Sequence, residues 1–164
     1  GLSHDARFAK SWQVEAVDAV MSDKAHHTLP AVISMSLGSP GNHFPAFEVS
    51  VKKANKAGIV VVVAAGNENT DACTKSPAYM PAVITVGAMD RSDSRSGFSN
   101  YGACLDICAP GTAVWSASIK TSAKAVAWDG TSMACPEVAG AAAVLFSKKP
   151  SFSAKAVGDA LVQH

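Results

Sequence analysis

The sequence predicts an α/β fold: a mostly parallel sheet in three layers, flanked by helices on both faces. Two observations predict it. The strand candidates are unbroken apolar runs, the strongest being IVVVVAA at residues 59–65. Such a run lacks the alternation of a half-solvated strand, so both of its faces are buried, as in a parallel sheet covered by helices. These runs also alternate along the chain with segments of helical period, the pattern of successive β-α units.

The elements follow in order. Residues 8–23 form a helix, with Trp12, Ala16 and Val20 near a 3.6-residue period. Residues 31–37, AVISMSL, form a strand that ends in Gly38-Ser39-Pro40-Gly41. A second helix covers residues 45–57, opened by Pro45 and stopped by Gly58. After the strand at 59–65 comes another buried strand at 82–88, AVITVGA. Residues 104–127 hold shorter strands and turns, 132–147 a helix of small residues, and 153–162 a last helix.

The chain has 164 residues, the size of one domain, and 48% of them are apolar, enough for one sizeable core. Charged residues make up 16% and the formal net charge is +1, which gives no electrostatic case for nucleic acid or an anionic membrane. No apolar run reaches the roughly 18–20 residues of a membrane span. The opening GLSHDARFAK reads as the interior of something longer, so the 164 residues are expected to be one portion of a larger domain.

In such sheets ligands sit at the carboxyl ends of the strands. Two strand exits stand there, Ser36–Gly41 (SLGSPG) and Ala64–Asn69 (AAGNEN). An Asn67 amide in that position can donate a hydrogen bond into a cleft, the chemistry of an oxyanion hole; the plain alternative is a turn-forming asparagine after glycine. Ser36-Leu37-Gly38 can offer backbone to an extended peptide, or be an ordinary strand exit. In GTSMACP, Ser132 stands where an N-cap would stand and Pro136 suits a first turn. It is either the cap of an alanine-rich helix or a nucleophile at a helix N-terminus, where the N–H groups favour a developing oxyanion.

Taken together and in this order, SMSLGS, VVVAAGNEN, SPAYMPAVITVGAMD, SGFSNYG, LDICAPG and GTSMACP resemble the subtilisin-like serine proteases, the subtilases, and most closely their proteinase K branch. The resemblance runs from Ala31 to about Leu161. It implies a subtilisin-like fold, incomplete at the N-terminus, and a serine endopeptidase that works through an acyl-enzyme. It assigns the nucleophile to Ser132 and the oxyanion side-chain donor to Asn67. Ser36, Leu37 and Gly38 would pair with substrate backbone and form one wall of the S1 pocket. Ala64, Ala65 and Gly66 would form the other, a roomy site for apolar or aromatic side chains.

A serine hydroxyl needs a base. In the family the Asp and His motifs precede the substrate strand, but only 35 residues precede Ser36 and neither motif is among them. None of His4, His26, His27, His43 and His164 stands in a matching context, and each reads as a solvated histidine. The implied partner is therefore an N-terminal remainder of the same protease that carries both residues, besides protein or peptide substrate. The chain alone is expected to be nearly inactive. Where the family usually has histidine five residues after the nucleophile, this chain has Glu137, expected to face inward with a raised pKa.

The resemblance also implies a disulfide between Cys73 and Cys104, and with it secretion or another oxidising lumen. Cys108 and Cys135 have no match and read as free thiols. Cys104 and Cys108, four apart in a segment read as strand, would share a face, a spacing compatible with a metal pair. A structural calcium is implied at Asp106, with the carbonyls of Pro81 and Val83; such hard oxygen ligands suit it. Asp71, Asp90 and Asp93 read as surface charges. A noncatalytic, calcium-bound relative that acts by binding is the competing reading. A nucleotide-binding domain is excluded, since no G-x-G-x-x-G follows a strand and no Walker A run is present.

Overall fold

The computed structural model describes residues 10–118 and 125–162. The main sheet has four parallel strands. They are β1 (Ala31–Met35), β3 (Ile59–Ala64), β5 (Ile84–Met89) and β6 (Ile107–Pro110), adjacent in that order. Between them in sequence lie β2 (Ser39–Pro40) and β4 (Lys75–Ser76), which pair antiparallel with Ser39 opposite Ser76. A separate antiparallel hairpin is made by β7 (Val114–Ala117) and β8 (Ala125–Trp128). The helices are α1 (Lys10–Lys24), α2 (Pro45–Lys56), α3 (Thr131–Lys148) and α4 (Ala154–Val162).

The reading of residues 59–65 as a strand buried on both faces holds. All of β3 is buried, and its side chains divide by parity between two cores. Val60, Val62 and Ala64 pack with Ala134, Val138, Ala142 and Phe146 of α3 and Val157 of α4. Ile59, Val61 and Val63 pack with Phe47, Val51 and Ala54 of α2 and Val17 of α1. Period-two projection on a strand with helices on both sides produces this three-layer arrangement. Alanines on the inner face of α3 let that helix lie close to β1, β3 and β5.

Several boundaries differ from the sequence reading. The first strand stops at Met35 because the Leu37 N–H turns back to the Met35 carbonyl at 2.9 Å. The strand read at 82–88 is β5, beginning at Ile84. The helix read from residue 8 is described from Lys10; residues 8 and 9 lie outside the described residues. Ser132 is not the N-cap of α3. That place belongs to Gly130, and Ser132 is the second helical residue, with Pro136 inside the helix. Cys104 and Cys108 share no strand face, because β6 begins only at Ile107 and Cys104 lies in the preceding turn. Cys104 is instead bonded to Cys73, as the resemblance implied, with Cα atoms 5.2 Å apart.

Backbone contacts fix the start of α3 against the sheet. The Gly130 N–H donates to the Gly111 carbonyl at 2.8 Å, and the Gly111 N–H to the Met89 carbonyl at 2.9 Å. A side chain on Gly111 would collide with Ala88, so only glycine lets the chain leaving β6 pass this close to β5. The N-terminus of α3 is thereby held at the carboxyl ends of β5 and β6.

Candidate active site

A cavity of about 180 Å³ opens at the carboxyl ends of β1 and β3. Ser36, Leu37 and Gly38 line one side, Ala64, Ala65, Gly66 and Asn67 the other, and Thr131 and Ser132 close it from α3. The residues expected to share a substrate site from three distant stretches of sequence do meet around one space. Glu68, Lys75, Ser39 and Ser76 also line it. Lys75 pairs with Glu68 at 3.5 Å, so the cavity is more polar than the apolar pocket expected from its alanine walls.

Asn67 is oriented by Thr131. The backbone N–H of Thr131 reaches Asn67 at 2.8 Å and its hydroxyl at 2.9 Å, both onto Oδ1. A backbone N–H can only donate, so the amide oxygen must face α3 and Nδ2 is left as a free donor beside the cavity. Thr131 is fully buried, and its hydroxyl oxygen also accepts from the Gly66 N–H at 3.2 Å. Ser132 lies in the first turn of α3, where backbone N–H groups lack intrahelical acceptors. Asn67 and Ser132 thus line one cavity, with an amide donor and a first-turn backbone donor that have no partner among the described residues.

A second buried residue shapes the wall. Asn100, with no solvent exposure, accepts from the Glu68 and Thr70 N–H groups at 3.1 and 2.9 Å. Its Nδ2 donates to the Ala65 carbonyl and to Glu68 Oε2, each at 2.8 Å. Gly66 sits at φ +102° against this amide, and a side chain there would run into it. Sequence reasoning singled out neither Thr131 nor, within SGFSNYG, Asn100 as a site residue. The position of Thr131 directly before the serine was the available signal; for Asn100 there was none in the chain itself.

The Ser132 hydroxyl faces the Ser36 carbonyl at 3.4 Å, which cannot take up its proton. No described histidine lines the cavity: His26, His27 and His43 are exposed, and His4 and His164 lie outside the described residues. Cys135 is buried behind the serine, with Sγ 3.6 Å from Ser34 Oγ; burial raises its thiol pKa, and it stays protonated. Glu137 is exposed, which overturns the expectation that it faces inward. The periodicity of α3 places Val138 and Ala139 against the sheet and turns Pro136, Glu137 and Gly140 away from it.

Asp106, Pro81 and Val83 line another cavity, about 460 Å³, at the opposite end of the strands. Burial pushes the Asp106 carboxyl above its ordinary value, while the Thr85 N–H, bonded to Oδ2 at 2.7 Å, works the other way. Among the described residues no group of three or more His, Cys, Asp or Glu gathers as metal ligands. The cavity is also lined by Lys56 and by Asp159, which is paired with Lys155 at 2.7 Å, so a cation at Asp106 would have that one carboxylate together with the neutral carbonyls of Pro81 and Val83. That set fits calcium, which accepts such oxygens together with water.

A parallel α/β sheet flanked by helices, with a helix-borne serine and a pinned asparagine amide brought together at its carboxyl edge, defines the class of fold: subtilisin-like. The sequence model of the subtilase family, peptidase S8, matches residues 3–164, and the chain belongs to that family. It is 48% identical over 139 residues to an extracellular serine proteinase of Thermus sp. (strain Rt41A), covering 85% of this chain and 33% of that protein. Proteinase R of Parengyodontium album is 43% identical, over 82% of this chain and 34% of its own length. The crystal structure of a cold adapted subtilisin-like serine proteinase superposes with a TM-score of 0.88 at 37% identity, over 99% of this chain and 57% of that one. The chain therefore spans about a third of the length of the curated relatives it matches.

Proposed function

We propose that residues 1–164 are the C-terminal portion of a subtilase catalytic domain, and that they carry the nucleophile of a serine endopeptidase that cleaves internal peptide bonds in proteins. The observation that carries this reading is the fixed amide of Asn67, whose free Nδ2 stands beside Ser132 in a cavity walled by 36–38 and 64–66. Ser132 Oγ attacks the scissile carbonyl. The oxyanion takes hydrogen bonds from Asn67 Nδ2 and the Ser132 N–H. Substrate backbone pairs along Ser36, Leu37 and Gly38. One such donor is typically worth about 10²–10³ in rate.

The base comes from outside the chain. An N-terminal remainder of the same protease brings the catalytic Asp and His. Two features support its docking here. β1 is paired on one side only among the described residues, and α3 leaves Val144 52% exposed on its outer face. Secretion is supported by the Cys73–Cys104 bridge and by the word extracellular in the name of the Thermus relative. A structural calcium, held by Asp106 and the carbonyls of Pro81 and Val83, would neutralise a half-buried carboxylate and tie the turn before β5 to the turn before β6. No nucleic acid takes part. Among the described residues no helix is long and apolar enough to cross a membrane.

Fluorophosphonate labelling with intact-mass measurement tests the reading. The chain alone is expected to label negligibly. With the N-terminal remainder present, a single adduct is expected on Ser132 and is lost in Ser132→Ala. Absence of an adduct from the complete protein would end the reading.

A further inference from the structure

Pro136 lies inside α3, four residues after Ser132. A helix interior normally satisfies each carbonyl with the N–H four residues on, and proline has no N–H. The carbonyl of Ser132 is therefore orphaned by the sequence itself. The structure supplies a substitute: Ser36 Oγ donates to the Ser132 carbonyl at 2.8 Å. The Ser132 hydroxyl in turn faces the Ser36 carbonyl at 3.4 Å. Two serines far apart in the chain are thus clasped, one at the end of β1 and one in the first turn of α3.

We infer that the Ser36 side chain is a positioning residue for the nucleophile, acting as the hydrogen-bond donor that Pro136 removes from the helix. This rests on the reading of Ser132 as nucleophile. The backbone of Ser36 serves substrate, and its hydroxyl serves the helix. A water molecule could hydrate the same carbonyl, but it would not tie α3 to the strand along which substrate lies. Without the tie, the first turn of α3 can rotate, and Oγ and the Ser132 N–H shift together relative to Asn67. The expected signature is a loss in kcat with KM little changed.

The experiment is a double-mutant cycle between Ser36→Ala and Pro136→Ala, with Ser36→Thr as the conservative control. On the 164-residue chain, the carbonyl ¹³C resonance of Ser132 reports its hydrogen bond whether or not the chain is a protease. Ser36→Ala is expected to shift it, and Pro136→Ala, which restores an N–H, to return it in the double variant. In the protease completed by its N-terminal remainder, Ser36→Ala is expected to slow Ser132 acylation about tenfold, the scale of one hydrogen bond. Ser36→Thr should retain the rate, and Ser36→Ala should cost little once position 136 is alanine. Equal losses in both backgrounds, or an unmoved resonance, overturn the inference and leave the protease reading intact. A shifted resonance in a completed protein that no variant acylates overturns the protease reading, and the positioning role with it.

Discussion

Replacing both Cys73 and Cys104 with alanine removes a cross-link that closes a loop of 31 residues. In the chain-entropy treatment the bridge withholds about 2.1 + 1.5R ln 31, near 12 cal/mol/K, from the unfolded chain, which is about 3.7 kcal/mol at 25 °C. Domain stabilities are typically about 5–15 kcal/mol, so the double variant should lose a large share of its margin. Equilibrium urea unfolding of the oxidised and variant chains measures it. The midpoint should fall, and the m-value should rise because the unlinked chain exposes more surface. Cys104 also packs against the Ala65, Ala72 and Ala78 cluster beneath the cavity wall. Wild-type chain unfolded under reductant keeps both sulfurs and separates that packing from the cross-link. A loss below about 1 kcal/mol in both comparisons would refute the view that the bridge acts through the unfolded chain.

Three further outcomes are expected. Thr131→Val keeps the shape but strips one hydrogen bond from Asn67 Oδ1 and leaves the Gly66 N–H without an acceptor, a cost of about 1–3 kcal/mol in chemical denaturation. The Asn67 side-chain amide resonances should broaden with it. Gly66→Ala forces a side chain into Asn100 at a positive φ, and should cost at least about 1–3 kcal/mol by the same assay. Asp106 gives a pH dependence. Its folded pKa lies above the ordinary 3.8, so in chelator the folded chain holds the proton longer, and stability is withdrawn as pH rises through the raised value. Asp106→Asn should flatten that decline, and calcium should reverse it in the wild type only. A calcium response equal in Asp106→Asn would place the ion elsewhere.

What the sequence made legible follows from how each signal is encoded. β3 could be read because both of its faces are buried, so burial is written as an unbroken run. The β7–β8 hairpin was legible only as shorter strands and turns within 104–127, without its pairing, since Trp115 and Trp128 are exposed and its strands carry no interior pattern. The cavity residues were legible as family motifs, and Ser36, Asn67 and Ser132 do surround one space. Their roles in α3 were less so. Ser132 looked like a cap because Ser and Thr favour that position, yet the chain makes its entry at Gly130. Glu137 was expected inward from the family's usual residue at that place, and helical period turns it outward. The Glu68–Lys75 pair was invisible because β4 is two residues long and meets the cavity only through its pairing with β2.

The Ser36–Ser132 clasp joins residues 96 apart in sequence, and the Thr131–Asn67 pair residues 64 apart. Neither can form before β1 and β3 align and α3 returns across them. Contacts of such separation are gained slowly, after the chain has lost most of its freedom. On the proposed reading, every partly folded copy is therefore substrate without being enzyme. During synthesis and export the molecule is harmless to its neighbours but vulnerable to any finished copy, and the time it takes to close that long loop sets how long the vulnerability lasts.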